Sequence, residues 1–274
     1  MNLLLIGQSR WSEKVSKSIK FGLSWVNTRT IGARQFLGNP KITGSIAPDL
    51  VWVVCRPNLQ PHVIESLSDF TGIVIIEKPL GLSMSDFAQL EKSNLYSSGK
   101  LRLSRPWNYS EVWHAYKSLI GKNISYLKIV RGGLNHGSSI PLHLDWLPHD
   151  LFLLTDLFGE SMLSCKVESL SIEDELFKAI IMIEDLNITV HLESGKLNEQ
   201  RIAKWDAVNN QGIHSKIDFT SNQIVLNESR VITPPIEMDA ICKMITNLQT
   251  VTKFEVKLDI AVQKRIFQEI LTQS

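Results

Sequence analysis

Residues 73–80 read Ile73-Val74-Ile75-Ile76-Glu77-Lys78-Pro79-Leu80. Four consecutive β-branched apolar residues predict a strand that is buried on both faces, as in a parallel sheet covered by helices. The charged pair and the proline then lie at the carboxyl end of that strand, which is the edge where open α/β sheets bind ligands. We expect Lys78 to point into that crevice and to meet an oxygen atom there. Pro79 fixes the backbone immediately after it, and its peptide bond can be cis.

The same alternation of apolar runs and amphipathic stretches extends over the first third of the chain. It predicts a Rossmann-type α/β domain with a parallel sheet and crossover helices, to which we assign residues 1–105. The predicted strands are 2–6, 23–26, 50–55, 73–76 and 100–104. The predicted helices between them are 12–20, 60–70 and 83–95.

The pattern changes after Arg105. Residues 106–274 form a second predicted domain of the α+β class, with a mostly antiparallel open sheet. Its predicted strands are 124–130, 179–183, 187–192 and 223–226, and its predicted helices are 110–120, 148–158, 238–248 and 258–271. Turn-like sequences around 185–187 and 209–212 separate some of the strands.

Composition narrows the classes of partner. Hydrophobic residues make up 43% of the 274 residues and the net charge is +1, which excludes a disordered chain and a strongly basic one. We therefore expect neither nucleic acid nor an anionic membrane as a partner. Cys55, Cys165 and Cys242 lie far apart, so we predict neither a disulfide framework nor a metal site. The expected location is the cytoplasm, since no apolar run approaches the roughly 20 residues of a membrane span.

A turn follows the first strand as Gly7-Gln8-Ser9-Arg10-Trp11-Ser12. Dinucleotide-binding loops place small residues where the chain turns and where the backbone approaches pyrophosphate, ahead of a helix N-terminus that binds anions. Gly7 supplies the turn, and two serines stand in the places of the second and third glycines. This altered fingerprint predicts cofactor contacts from Gly7, Ser9, Arg10 and Trp11. An ordinary strand-to-helix turn is the alternative.

The segment after the predicted second strand reads Val26-Asn27-Thr28-Arg29-Thr30. An Asp or Glu at this place would bind the ribose hydroxyls of the adenosine, and this segment has neither. A guanidinium with hydroxyl and amide neighbours suits a 2′-phosphate, which arginine binds bidentately. We therefore predict cofactor contacts from Thr28 and Arg29 and a preference for NADP over NAD. The alternative is that Arg29 is a plain surface residue.

Several motifs, taken in chain order, resemble those of the Gfo/Idh/MocA family of oxidoreductases (glucose–fructose oxidoreductase and inositol dehydrogenase). Glu77-Lys78-Pro79 is similar to the family's Glu-Lys-Pro, and Arg56-Pro57-Asn58-Leu59-Gln60-Pro61 resembles its Pro-Asn-Leu-His-Pro-like turn. Arg105-Pro106-Trp107-Asn108, Gly132-Gly133 and Asp145-Trp146-Leu147-Pro148-His149 resemble further family elements. The resemblance covers most of the chain. It departs from the family at Gln60, where a histidine is usual, and at the two serines of the glycine loop.

The resemblance carries expectations for the site. It implies a nicotinamide cofactor at the strand ends of the first domain and a catalytic set of Lys78, Asp145 and His149. It also implies homo-oligomers formed through the open sheet of the second domain. The further cofactor contacts expected from it are Arg56, Pro57, Asn58, Glu77, Lys78 and Arg105.

The residues around Asp145 also indicate acid–base chemistry independently of the family resemblance. Pro148 favours the first turn of a helix, so His149 would lie near the helix start. A histidine gives or takes a proton near neutral pH, Asp145 could orient it, and Lys78 could stabilise negative charge on a reacting oxygen. The alternative is that the His-Asp pair only caps the helix. His136 and His143 are secondary candidates for substrate contact.

The leading hypothesis is an NAD(P)-dependent oxidoreductase that acts at a carbinol or carbonyl carbon of a sugar, nucleotide-sugar or cyclitol. The resemblance alone implies that substrate class, because a fold does not determine a substrate. Reduction of an imine or a conjugated system is an alternative within the same broad group. A non-catalytic ligand-binding or regulatory subunit is an alternative from another class, and the altered glycine loop motivates it.

Overall fold

The computed structural model describes residues 1–40, 47–121, 123–133, 140–173, 175–195 and 200–273. The chain forms two compact units. The first consists of Met1–Pro106 with Met238–Ile260, and the second of Trp107–Glu237 with Ala261–Ser274. Our division into 1–105 and 106–274 contains no such return of a C-terminal segment to the first unit.

Both units contain helices and strands. The strands are β1 (Asn2–Ile6), β2 (Asn27–Ile31), β3 (Leu50–Val53), β4 (Ile73–Ile76), β5 (Leu101–Leu103), β6 (Ile124–Gly132), β7 (Cys165–Glu173), β8 (Leu176–Ile183), β9 (Ile188–Gly195), β10 (Ile202–Asn209), β11 (His214–Asp218), β12 (Gln223–Leu226) and β13 (Arg230–Ile232). The helices are α1 (Arg10–Gly22), α2 (Ala33–Gly38), α3 (Gln60–Ser66), α4 (Met84–Lys92), α5 (Asn94–Ser97), α6 (Glu111–Ile120), α7 (Leu142–Asp145), α8 (Leu147–Phe158), α9 (Ala240–Thr246) and α10 (Lys253–Gln273).

The first unit is built on a five-stranded sheet in the order β2-β1-β3-β4-β5. All its neighbouring strands are parallel. The central strands are unbroken apolar runs because a parallel sheet buries both of its faces. In β3, for example, no residue from Leu50 to Val53 exceeds 2% exposure. The Rossmann-type sheet that we predicted is confirmed.

The second strand was predicted at the wrong residues. We placed it at 23–26, but Leu23 and Val26 lie in a turn that the Val26 N–H closes by donating to the Leu23 carbonyl oxygen (2.9 Å). The strand is β2, which forms the edge of the sheet and reads Asn-Thr-Arg-Thr-Ile. An edge strand is less covered than a central one and needs no apolar run. The nearest apolar run lies in the turn, so the sequence pattern indicated the turn instead of the strand.

The second unit is built on an eight-stranded sheet in the order β13-β12-β11-β10-β6-β9-β8-β7. Its pairs are antiparallel except for β6 with β9, which confirms the mostly antiparallel sheet of the predicted α+β domain. Buried and exposed residues alternate along the strands, as expected where one face is covered. On the covered face, α6 packs against β11 and β12, and α7 packs against β8 and β9.

Four strands of this sheet, β7, β10, β11 and β13, were not predicted. Their apolar positions are interrupted or small, which weakens the alternating pattern that reveals a strand. In β10 the buried hydrophobic residues are Ala203, Trp205 and Ala207, so two of the three present little apolar surface. The predicted strand at 223–226 is confirmed as β12.

The two helices predicted near the C-terminus are confirmed as α9 and α10. The side chain of Asp239 caps α9 by accepting from the Ile241 N–H at 2.8 Å. α10 belongs to the first unit as far as Ile260 and to the second unit from Ala261. Within the described residues, no helix is both long and apolar enough to cross a membrane.

Candidate active site

The first unit has a topological switch point next to β1. This strand pairs with β2 on one side and with β3 on the other, and the connections leave the sheet in opposite directions there. In open parallel sheets, ligands bind in the crevice that opens at the carboxyl ends of the strands at such a point. Gly7 follows β1 directly and therefore stands at this crevice.

Gly7 has a backbone conformation that only glycine adopts readily. Its φ is 137°, and a Cβ atom there would lie 2.7 Å from the carbonyl carbon of Val54, which follows β3. Its N–H donates to the carbonyl oxygen of Ile31 at the end of β2 (2.8 Å). The turn after β1 is thus pressed between two neighbouring strand ends, and glycine is required for that close approach.

Serine side chains cap the helix that follows this turn. Ser9 Oγ accepts from the Ser12 N–H (3.1 Å), and Ser12 Oγ accepts from the Ser9 N–H (2.8 Å). The Ser12 N–H is therefore already occupied, whereas the first N–H groups of a helix, here those of Arg10 and Trp11, have no intrahelical acceptor. Two backbone donors at a positive helix end can bind an anion. Gln8, Ser9 and Ser12 also line a cavity of about 320 Å³ beside this turn.

The carboxyl end of β2 lies further along the chain than we predicted. Arg29 is in the middle of the strand, opposite Leu4, and is exposed. The residues that follow the strand are Gly32 and the start of α2, which includes the exposed Arg34. Thr28 Oγ1 is buried and has no hydrogen-bond partner among the described residues. Arg34 is therefore the cation that the structure places just after the strand end, and sequence reasoning missed it because the strand was misplaced.

The turn after β3 presents three of the predicted cofactor residues. Arg56 and Asn58 are exposed and Pro57 is half-buried, in a 3₁₀ turn at Pro57–Leu59. Gln60 begins α3 and is only 3% exposed, and both polar atoms of its amide lack a hydrogen-bond partner among the described residues. It lines a cavity of about 640 Å³ together with residues of α4. Burial raises the pKa of the neighbouring Cys55 thiol to about 12, so this thiol stays protonated at neutral pH.

Glu77 holds two tryptophans at the end of β4. Its Oε1 accepts from the indole N–H of Trp11 in α1 (2.6 Å) and from that of Trp52 in β3 (2.9 Å). Burial raises the pKa of Glu77, although Ser104, the two indoles and Lys78 act in the opposite direction. Through these two hydrogen bonds, the carboxyl group of Glu77 links the start of α1 to the sheet. Lys78 follows it, half-buried, and the Lys78–Pro79 bond is cis.

Arg105 is engaged within the first unit. Its Nη1 donates to Oδ2 of Asp259 (2.9 Å), which is 1% exposed, and Glu255 lies 3.7 Å from Nη2. Buried charges in proteins are paired in this way. Arg105 thus forms ion pairs with two acidic residues in the first turns of α10.

The two catalytic candidates of the second unit flank a break between helices. Asp145 ends α7, and its Oδ2 accepts from the indole N–H of Trp146 (3.1 Å). α8 then begins with Pro148 in its first turn, as the sequence predicted, and His149 lies in that turn, half-buried. The ring of Trp107 approaches His149 edge-on, with ring centroids 6.4 Å apart. The acid and the histidine thus lie on the two sides of the helix break along the chain, and the His149 N–H donates to the Trp146 carbonyl oxygen (3.2 Å).

Of the secondary histidine candidates, the structure describes one. His143 lies in α7 beside Phe177 (5.7 Å between ring centroids), and burial lowers its pKa. His136 lies outside the described residues. Within the described ranges, no three His, Cys, Asp or Glu side chains are grouped so that they could hold a metal ion.

A buried ion pair underlies the start of α8, and sequence reasoning missed its role. Arg131 of β6 donates to both carboxylate oxygens of Asp150, through Nε at 2.7 Å and Nη2 at 2.5 Å. Trp205 of β10 adds a third hydrogen bond to Asp150 (3.1 Å). Asp150 is 0% exposed. Because the partners come from three distant segments, no local pattern in the sequence indicates this arrangement.

The predicted residues are therefore grouped within each unit. In the first, Gly7, Ser9, Arg10 and Trp11 lie at the switch point, and Glu77 is bonded to Trp11 there. Arg29 lies away from the strand end. In the second unit, Asp145 and His149 flank one helix break.

Comparisons with known proteins address the fold. No protein-family profile matches the chain, and no curated protein is similar to it in sequence. Among solved structures, UDP-N-acetylglucosamine 3-dehydrogenase from Acidithiobacillus ferrooxidans superposes with a TM-score of 0.75 at 13% identity, covering 99% of this chain and 96% of that one. A dehydrogenase from Clostridium difficile gives 0.76 at 10% identity, covering 100% and 99%.

A third solved structure links the fold to the family that the sequence motifs indicate. It is a Gfo/Idh/MocA family oxidoreductase from Vibrio cholerae, which superposes with a TM-score of 0.76 at 10% identity. The alignment covers 100% of this chain and 97% of that one. The resemblance predicted from Glu77-Lys78-Pro79 and its companion motifs is thereby confirmed at the level of the fold: this chain has the two-domain fold of the Gfo/Idh/MocA oxidoreductases.

Proposed function

We propose that this chain is an oxidoreductase that uses a nicotinamide dinucleotide. In this proposal it transfers a hydride to or from a carbinol or carbonyl carbon of a sugar, nucleotide-sugar or cyclitol. The observation that carries the proposal is the glycine turn at the switch point of the first sheet, followed by a helix start with two backbone donors. The fold shared with known dehydrogenases supports it.

The residues of the first unit fit a dinucleotide. Gly7 allows a close approach of backbone at the strand ends, and the N–H groups of Arg10 and Trp11 suit a pyrophosphate. Thr28 retains a buried hydroxyl that no described residue satisfies. Arg56, Pro57 and Asn58 stand at the end of β3, where the cofactor would continue. When bound, the nicotinamide ring would accept or supply the hydride.

The predicted catalytic residues would handle the proton and the charge. His149 would take the hydroxyl proton during oxidation and return it during reduction, because histidine is the side chain that most readily exchanges a proton at neutral pH. Asp145 would orient the reacting groups next to the helix break. Lys78 would stabilise the negative charge that develops on the reacting oxygen.

The proposed cofactor is NADP, with NAD as the less favoured form. The support is that no acid stands at the end of β2, whereas the exposed Arg34 follows that end; Arg29 lies within the strand. A guanidinium binds a 2′-phosphate well, whereas an NAD site uses an acid for the ribose hydroxyls.

We also propose that two copies associate through the uncovered face of the second sheet, in the cytoplasm. That face carries Tyr126, Lys128, His191 and Glu193, which line a groove of about 520 Å³. Lys128 and Lys178 flank Glu193 at 3.6 and 3.9 Å, so the face carries both signs of charge and could meet a second copy of itself. Sedimentation equilibrium of the wild type and of Tyr126→Glu would test this. A wild-type monomer would end the proposal.

The test of the main proposal is titration of the purified protein with NADPH and NADH, followed through tryptophan fluorescence. Trp11 and Trp52 stand at the proposed site and should report binding. Saturable binding that Gly7→Ala abolishes, and that Gly38→Ala leaves intact, would support the proposal. Gly38 is the matched control because a Cβ there would meet no atom of the described residues within 4 Å. No binding of either dinucleotide at millimolar concentration would favour the non-catalytic alternative.

A further inference from the structure

Arg201 is a cation of the second unit that the proposed chemistry does not yet use. It immediately precedes β10, and its Cα lies 3.1 Å from where a Cβ on Gly133 would stand. Its guanidinium carbon lies 5.3 Å from the centroid of the Trp107 ring. The guanidinium of Arg131 lies at the same distance from that ring. Two guanidinium groups therefore share one indole.

The two arginines differ in how their charges are balanced. Arg131 is neutralised by the bidentate pair with Asp150, whose oxygens also accept from Trp205. Arg201 has no carboxylate partner among the residues that the structure describes; its contacts there are Trp107 and the like charge of Arg131. Counted over the residues that the structure describes, the cluster thus carries one surplus positive charge.

The environment disfavours the positive charge of Arg201. Desolvation of the partly covered guanidinium lowers the pKa of Arg201 most, and the like charge of Arg131 lowers it further, although an arginine keeps its proton under all ordinary conditions. The residue nevertheless remains exposed, so a solute can reach it. A stacked guanidinium with free donors is well suited to carboxylate or phosphate, since both accept two parallel N–H bonds.

The position of the cluster relates it to the candidate chemistry. Trp107 contacts Arg201 through its ring and also meets His149 edge-on, at 6.4 Å between centroids. A molecule whose hydroxyl or carbonyl lay at His149 would therefore have the guanidinium of Arg201 close by, because both side chains contact the ring of Trp107.

We infer that Arg201 binds an anionic substituent, a carboxylate or a phosphate, of the molecule that is oxidised or reduced beside His149. This inference rests on the proposed function and narrows its substrate class. Sugar acids, sugar phosphates and nucleotide-sugars carry such a group, whereas a neutral cyclitol does not. Arg201 is accordingly a specificity-determining residue.

The test is calorimetric titration with four probes: inorganic phosphate, uridine diphosphate, glucuronate and glucose. The variants are Arg201→Met, which removes the charge, and Arg201→Lys, which keeps it. Arg230→Met is the matched control, because Arg230 is an exposed arginine of the same unit in β13, three strands away from β10. We expect the wild type to bind at least one anion, and Arg201→Met to weaken that binding about ten-fold or more. Arg201→Lys should retain most of it, and Arg230→Met all of it.

The probes distinguish the source of the negative charge. Phosphate and uridine diphosphate responding to Arg201→Met would indicate a phosphorylated substrate, and glucuronate responding would indicate a sugar acid. Anion binding at the turn after β1 does not confuse the result, since only the part lost in Arg201→Met is counted. Equal anion affinity in wild type and Arg201→Met, or no anion binding by the wild type, would overturn the inference.

A parallel NADPH titration separates this inference from the proposed function. Arg201→Met should bind NADPH like the wild type, which also shows that the variant is folded. If NADPH binds and no anion depends on Arg201, the inference alone fails. If an anion depends on Arg201 and neither dinucleotide binds, the proposed function fails while Arg201 remains an anion site.

Discussion

Two helix starts, α1 in the first unit and α8 in the second, each carry a group of candidate residues, and they are built differently. At α1, Ser9 and Ser12 cap each other's backbone N–H groups and leave two donors for a ligand. At α8, no side chain caps the helix among the described residues, and Pro148 brings no N–H. The acid of that first turn, Asp150, is instead committed to Arg131.

The difference indicates how each unit could bind a negative charge. The first unit offers backbone donors at a helix end, which suit the pyrophosphate common to all nicotinamide dinucleotides. The second unit offers a guanidinium, Arg201, which a single substitution can remove. Backbone donors do not depend on side-chain identity, which suits a cofactor that many enzymes share. A side-chain donor such as Arg201 can be changed by one substitution, which suits a substrate that varies between enzymes.

The largest expected effect separates catalysis from cofactor binding. Lys78→Ala should lower turnover about a thousand-fold, since it removes a donor to the developing negative charge. NADPH affinity should stay near the wild-type value. Stopped-flow NADPH oxidation and fluorescence titration measure the two quantities, with Lys20→Ala, an exposed residue of α1, as control. Turnover like that of the wild type would remove Lys78 from the mechanism.

The next effect tests the buried pair below α8. Asp150→Ala should lower the free energy of unfolding by about 3–5 kcal/mol, because it leaves the charge of Arg131 buried and unpaired. Asp156→Ala is the control in the same helix: Asp156 also binds an indole and a cation, Trp113 and Lys117, but is partly exposed. It should cost about 1 kcal/mol. If urea unfolding gave equal losses of unfolding free energy for the two variants, the buried pair of Arg131 and Asp150 would contribute no more than the partly exposed pair.

A smaller effect concerns the carboxyl group that fastens α1. Glu77→Ala should cost about 2–3 kcal/mol, because it leaves two indole N–H groups without their acceptor. Glu77→Gln keeps an acceptor oxygen and should cost less. Burial raises the pKa of Glu77, so the folded protein binds this proton more tightly than the unfolded chain. The contribution of this proton to the free energy of unfolding is complete below the pKa of Glu77 in the unfolded chain. It is lost as the pH rises through the pKa of Glu77 in the folded protein.

The pH dependence follows from that sign. The stability of Glu77→Gln relative to the wild type should increase with pH across the window above the ordinary glutamate pKa, because the variant has no proton to lose. Urea unfolding at several pH values gives this difference directly. Parallel curves for the two proteins would show that Glu77 titrates in the folded state as it does in the unfolded chain.

The smallest effect decides between two arginines near β2. Arg34→Met should weaken NADPH binding about ten-fold while leaving NADH binding unchanged, since only NADPH carries the 2′-phosphate. Arg29→Met is the matched comparison and should change neither, because Arg29 lies within the strand. The reverse result would restore the role that the sequence alone suggested for Arg29.

The sequence by itself determined the central architecture of the first unit and the candidate residues that stand next to it. The runs at 2–6 and 73–76 were predicted with the bounds that the structure shows, because strands buried on both faces need uninterrupted apolar residues. The turn at Gly7 and the helix start at Pro148 were predictable for a similar reason. Each depends on the backbone geometry of a single residue, which the residue type reveals.

Only the tertiary structure decided which charges meet and which do not. β2 was misplaced because an edge strand needs no apolar pattern, and Arg34 was overlooked as a consequence. The pairs Glu77 with Trp11, Arg105 with Asp259 and Arg131 with Asp150 join residues that lie 66, 154 and 19 positions apart. Such contacts have no period and no fixed spacing. Whether an arginine is paired, or has no carboxylate partner among the described residues, as Arg201 has none, therefore depends on the fold that brings the segments together.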